Sequence, residues 1–299
     1  MVLAPAAHSP AAAQEIPSEW EGTWAGGSIG WKWIDTDYRG DPNEIAEPPA
    51  TVTQTGAAAT ANRLSSGTPV SKSGGFIADG FTAGLLAGTN RLNGRWLFGL
   101  EAGADLTTAD GSEERTQTSI ADYDGNATNE ITFARRNETC RNSKDMWFEG
   151  ALRGRMGYLA APNILFFATA GLSTAAVEHE VDCLLTTTFV DDGGGVPTDS
   201  FTHTTRVSGS DDEFEVGYTL GLGIESLTNN GKWRSRFDYA FVDLGTSSQT
   251  LDVSRATTDP LVANTGPSEI DYRWDEYYHK ISFSLVRKLG NPDPPAPLK

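Results

Sequence analysis

Charged residues recur at alternate positions in otherwise apolar stretches. Glu149, Arg153 and Arg155 form one such set, Glu215 and Glu225 a second, and Arg234, Arg236 and Asp238 a third, while Lys32, Glu101 and Asp105 lie in similar surroundings. In an extended strand this spacing puts them on one face. Carboxylates and cations confined to a narrow space can pair and fill it, or they can line a small path for ions. Leaving a charge unpaired away from water costs several kcal/mol, so a paired network filling the interior is the structural expectation. A gated or very narrow ion path is the alternative.

Other chemistry is sparse. His179, His203 and His279 are the bases outside the N-terminal stretch, and catalysis by a nucleophile with a positioned base fits them poorly. No His/Cys cluster has metal-ligand spacing, so neither metal nor cofactor is expected. Asp191-Asp192 and Asp211-Asp212 read as solvated loop charges, with loose calcium binding the alternative.

Cys140 and Cys183 are the two cysteines. They lie almost symmetrically about Ala161-Pro162, and paired positions in an antiparallel hairpin keep a constant sum. A disulfide clasping a surface-exposed hairpin is expected, against two unpaired thiols. The register is open by one residue, and a slip would turn one cysteine to the opposite face unless a bulge corrects it.

The elements that position these residues are strands. Alternation marks eight segments: Thr23-Asp35, Gly80-Asn90, Arg95-Thr107, Met146-Leu159, Ile164-Glu178, Glu213-Leu227, Trp233-Leu244 and Glu276-Leu289. Proline is absent from all of them, as laddered positions demand. In the sixth, Phe214, Val216, Tyr218, Leu220, Leu222 and Ile224 share one face, while Glu215, Gly217, Thr219, Gly221, Gly223 and Glu225 share the other. Apolar side chains opposite glycine and carboxylate suit a lipid-facing exterior around a polar lumen. A soluble ligand-binding barrel requires the reverse.

Connections alternate in length. Leu92-Asn93-Gly94, Ala160-Ala161-Pro162 and Asn229-Asn230-Gly231 read as tight turns. The links around Tyr38-Gly74, Ala109-Lys144, His179-Asp212 and Gly245-Asp275 are each about thirty residues or more, with parts such as Leu184-Val190 and Phe201-Val207 strand-like and Thr51-Thr60 too poor in apolar surface to order itself. Short turns at one rim and long loops at the other are the pattern of an all-β, eight-stranded antiparallel up-and-down transmembrane barrel. No stretch offers the roughly 18 consecutive apolar residues of a spanning helix. A net charge of -17 without a Lys/Arg cluster excludes nucleic acid as a partner. Trp20, Trp24, Trp31, Trp96, Trp147, Trp233, Trp274, Tyr277 and Tyr278 are expected in two interfacial girdles.

Four stretches together resemble a known family: Trp20-Trp33 (WEGTWAGGSIGWKW), Ala83-Asp105 (AGLLAGTNRLNGRWLFGLEAGAD), Leu152-Gly171 (LRGRMGYLAAPNILFFATAG) and Gly217-Gly245 (GYTLGLGIESLTNNGKWRSRFDYAFVDLG). In that order they are similar to segments of the small OmpA-like outer-membrane β-barrel proteins, which include porin-like surface antigens. The resemblance implies periplasmic turns, extracellular loops and a monomer. It also implies contact with outer-membrane lipid and lipopolysaccharide, assembly by the outer-membrane machinery, and an unidentified surface ligand. Some eight-stranded outer-membrane barrels modify lipid A acyl chains, but Ser282 and Ser284 beyond His279 do not reproduce their His-x-Ser arrangement, so a non-enzyme is expected. Its function is read as structural, with surface interaction through the loops; a small porin of narrow conductance is the alternative. One departure is the last strand, which ends at Leu289 rather than on the family's terminal aromatic.

The expected layout is a signal-like, flexible segment over 1–19, the barrel over 20–290 and a Pro-rich periplasmic tail over 291–299. Met1-Gln14 carries small residues like those before a signal cleavage site but lacks a charged start, which reads as a truncated signal.

Overall fold

The alternation closes on itself. The computed structural model describes residues 18–40, 73–122, 131–191, 199–228, 232–257 and 269–289. Met1-Gln14, Thr51-Thr60, Asp192, Asn229-Asn230-Gly231 and the 291–299 tail lie outside them. A 3₁₀ turn, Ser18–Trp20, leads into β1 (Gly22–Gly40), β2 (Ser73–Asn93), β3 (Trp96–Asp122), β4 (Ile131–Ala161), β5 (Ile164–Asp191), β6 (Asp199–Leu227), β7 (Trp233–Thr257) and β8 (Glu269–Lys288). Neighbours in sequence pair antiparallel, and β1 pairs with β8, from Trp24 opposite Lys288 to Gly40 opposite Tyr272, which closes an eight-stranded barrel.

A tilted strand crosses a bilayer in about 9–11 residues, whereas β4 has 31 and even β1 has 19. Phe98, Leu100, Leu152, Leu172, Leu220, Leu222 and Phe283 stand outward and exposed, forming the lipid-facing belt. Beyond it the strands continue through most of the stretches expected as loops. Only 123–130 separates β3 from β4, and only 192–198 separates β5 from β6. Threonine and β-branched residues carry the pairing there, as at Val181 opposite Gly209 and Thr186 opposite Thr204.

Two bulges settle the cysteine register. The β4–β5 pairing runs from Ala161 opposite Ile164 to Leu159 opposite Leu165, and later from Phe148 opposite Ala176 to Met146 opposite Val177, so β4 carries an extra residue each time. Cys140 then lies directly opposite Cys183 and is disulfide-bonded to it. Both cysteines are buried and belong to an interior cluster, so the clasp sits inside the bore rather than on the hairpin's outer surface.

Four of the nine expected girdle aromatics are interior. Trp31, Trp96, Trp147, Trp233 and Tyr277 face outward, but Trp20, Trp24, Trp274 and Tyr278 are buried. The cause is parity: Trp24 shares its face with Lys32, and Trp274 and Tyr278 share theirs with Lys280, all of them inward. Trp20 precedes β1 and closes the short-turn mouth, donating its indole N–H to the Pro162 carbonyl at 2.8 Å.

Candidate functional site in the lumen

Inward side chains fill the bore in layers, and their order can be read up β4 and its partners. Trp20, Leu97, Leu159, Leu165 and Phe167 form an apolar floor at the short-turn end. Phe167 can lie flat there because Gly223 stands where a Cβ would overlap its ring. The guanidinium groups of Arg155 and Arg236 each lie 4.4 Å from the Phe167 ring centre, and Arg234 lies 5.5 Å from the rings of Trp20 and Trp24. These cation–π contacts join the floor to the charges above it.

Those charges form two groups. In the lower one Arg236 grips both oxygens of Glu101 at 2.7 and 3.1 Å. It also donates to Asp238 at 2.8 Å. Arg153 reaches Glu101 at 3.0 Å, Arg155 bonds Glu225 at 2.8 Å, and Arg234 stands 3.7 Å from Glu225. In the upper group Lys32 bonds Glu149 at 2.7 Å, while Lys280 bonds Asp105 at 2.8 Å and Glu149 at 3.2 Å. Ser28 donates to Asp105 and Ser282 to Asp238. Bidentate and charge-assisted bonds of this kind are the strong members of the hydrogen-bond repertoire.

A second apolar layer follows, made by Ile34, Ala78, Ala109, Met146, Ala175, Val177, Val242, Leu244 and Tyr278. Above Met146 on β4 lies Lys144, paired with Glu276, and beside it His179 with Glu215. Tyr38, Val181, Val207, Leu251, Ile270, Tyr272, Trp274 and the disulfide cap the column. Asp35, Asp37 and Arg39 face outward here, so this cap stands beyond the lipid-facing belt. Burial and the 2.7 Å bond to Glu113 push the Tyr38 hydroxyl up to about 12.

All eleven charges singled out in the sequence, Lys32, Glu101, Asp105, Glu149, Arg153, Arg155, Glu215, Glu225, Arg234, Arg236 and Asp238, point inward. Ten fall in the lower two ionic groups, and Glu215 stands apart with His179. Sequence reasoning missed Lys144, His179, Glu276 and Lys280 as interior groups. For Glu276 and Lys280 the signal was available, since Ile281, Phe283 and Leu285 face outward and even-numbered neighbours on β8 must face in. His279, by contrast, faces outward and meets the Tyr239 hydroxyl at 2.6 Å. The side chain of His203 lies outside the described residues.

Residues 1–260 match the family model described as the outer membrane protein beta-barrel domain. The 31 kDa outer-membrane immunogenic proteins of Brucella melitensis and Brucella suis are each 27% identical over 177 residues, which is 59% of this chain and 59% of the relative. The outer membrane protein OprG of Pseudomonas aeruginosa aligns with a TM-score of 0.39 at 10% identity, over 90% of this chain and 97% of its own. The outer membrane protease OmpT of Escherichia coli aligns with a TM-score of 0.34 at 8% identity, over the same shares. The closed barrel with its lipid-facing belt is that of a bacterial outer-membrane protein, and the chain belongs to the outer membrane protein beta-barrel domain family.

Proposed function

We propose that this protein is a non-enzymatic outer-membrane barrel whose filled lumen makes it a rigid post for its extracellular hairpins, rather than a conducting pore. One observation carries this reading: apolar layers at Phe167, Tyr278 and Trp274 alternate with ion-paired layers across the whole bore. An eight-stranded barrel is just wide enough for side chains to fill, and moving an ion through this one requires breaking buried pairs that each cost several kcal/mol to disrupt.

Outside, the role is contact. The paired extensions of β3–β4 and β5–β6 present Arg115, Thr116, Asp182 and Arg206 to the medium, and the likeness to an immunogenic protein supports an exposed, antibody-accessible surface. Outer-membrane lipid, lipopolysaccharide and the assembly machinery are the partners this role requires, with a surface ligand engaged by the hairpins.

Protease shaving of intact cells, followed by peptide mapping, tests the arrangement. Cleavage confined to the four long links, Tyr38-Gly74, Ala109-Lys144, His179-Asp212 and Gly245-Asp275, is expected. Cleavage at the Gly94 or Pro162 turns of intact cells contradicts it, as does ion uptake by proteoliposomes carrying the folded protein.

A further inference from the structure

Three strands deliver three metal-binding side chains to one point in the upper lumen: His179 from β5, Glu215 from β6 and Glu276 from β8. His179 Nε2 lies 3.6 Å from Glu215 Oε1 and 3.4 Å from Glu276 Oε1, and the three donor atoms lie within 4.8 Å of one another. Four ligands held at about 2.05 Å around a tetrahedral ion are about 3.3 Å apart, so two of the three edges are already near a zinc geometry.

Hydrogen bonding leaves the same atoms poorly satisfied. His179 and Glu276 are 1% and 2% exposed and Glu215 is 8% exposed. Among the described residues both ring nitrogens of His179, both carboxylate oxygens of Glu215 and Oε1 of Glu276 lack a well-formed hydrogen bond, the nearest acceptors to Nε2 being the two carboxylates themselves. Each such group carries its desolvation cost, and here five of these atoms, from three strands, face one point. Charge points the same way. Lys144 pairs with Glu276, which leaves two carboxylates against one ammonium, and the layer below matches Lys32 and Lys280 to Glu149 and Asp105 with no cation to spare.

We infer that His179, Glu215 and Glu276 bind one divalent transition-metal ion of the zinc type, which pins β5, β6 and β8 together beneath the aromatic cap. An imidazole with two carboxylates favours zinc, cobalt, nickel or copper over magnesium or calcium, which take all-oxygen sites. Three protein ligands leave one coordination position for water. Trp274 stacks on His179 with ring centres 4.5 Å apart, so indole fluorescence reports occupancy. Nothing in this inference depends on whether the lumen conducts.

The test uses the full chain without a histidine tag, refolded in detergent with zinc, with cobalt, or with chelator. Heat-modifiable migration on gels establishes folding independently of metal. After gel filtration, one equivalent of zinc per folded chain is expected, and the cobalt form is expected to show the visible absorption of a four-coordinate N/O site. Zinc is also expected to raise the melting temperature. His179→Gln and Glu215→Gln are expected to weaken binding by at least about 100-fold, the upper end of what losing a mere outer-sphere partner costs, whereas Asp182→Asn on the outward face of β5, paired with Arg206, leaves it unchanged. Folded wild-type protein carrying no stoichiometric zinc or cobalt overturns the inference. So does equal binding by folded His179→Gln, or a stability that answers to protonation of His179 but not to zinc.

Discussion

Lys32 and Lys280 stand directly opposite each other in the ladder that closes the barrel, and both ammonium groups converge on Glu149, at 2.7 and 3.2 Å. Like charges facing across a ladder repel, so Glu149 and Asp105 are what make the β1–β8 closure compatible with a charged seam.

Glu149→Gln therefore takes from buried Lys32 its bonded carboxylate and leaves Lys280 with Asp105. The expected destabilisation is about 3–5 kcal/mol, the cost of breaking a buried pair from one side, read from urea unfolding in detergent by tryptophan fluorescence. Replacing Lys32 and Glu149 together by Met and Gln is expected to lose less than Glu149→Gln alone, because the uncompensated charge is then gone.

The glycines of the lumen face separate into crowded and open positions. A Cβ on Gly88 meets the Leu100 carbonyl and the Trp24 ring, both at 2.6 Å, while one on Gly103 meets, among the described residues, only the Leu85 carbonyl at 3.8 Å. Gly88→Ala is expected to cost about 1–3 kcal/mol through overpacking. Gly103→Ala is expected to refold like wild type, and equal yields of the heat-modifiable form from the two variants disprove the packing argument.

Disulfide removal acts on the denatured chain. Cys140 and Cys183 are 43 residues apart, for which loop-closure entropy gives a stabilisation of about 4 kcal/mol. Cys140→Ser with Cys183→Ser is expected to lower the urea midpoint by a corresponding amount without changing the folded barrel's migration.

Tyr38 links stability to high pH. Its hydroxyl is held above the ordinary value of 10.0, at about 12, by burial first and by Glu113 second. A raised folded value means that this contribution is fully present below pH 10 and is lost as pH rises towards 12. Tyrosinate absorbance is expected to contain a component titrating near 12 that Tyr38→Phe removes; an unchanged titration in that variant contradicts the assignment.

Much of the barrel was legible because lipid outside and charge inside enforce period two along every strand. Glu215 and Glu225 face in because Phe214, Val216 and Ile224 face out, and the same logic orients Arg234 and Arg236. What stayed hidden was hidden for physical reasons. Trp24 and Tyr278 read as interfacial by residue type, yet ring and cation pack together inside, where Tyr278 lies 4.6 Å from the Lys32 ammonium. The extra residues in β4 leave no composition signal, so the inward pairing of Cys140 with Cys183 depends on geometry that alternation alone cannot supply. His179 and Glu215 approach across the paired strands β5 and β6, and it takes the curled barrel wall to bring Glu276 of β8 to them.

The central claim is that the lumen is filled by paired charges and apolar layers and does not conduct. Planar-bilayer recording of folded, heat-modifiable protein tests it most directly. A flat baseline is expected from the wild type across the voltage range in which the bilayer itself is stable, with steps emerging only when the floor is emptied, as in Phe167→Ala with Arg236→Ala. Reproducible unitary steps from the wild-type barrel contradict the account.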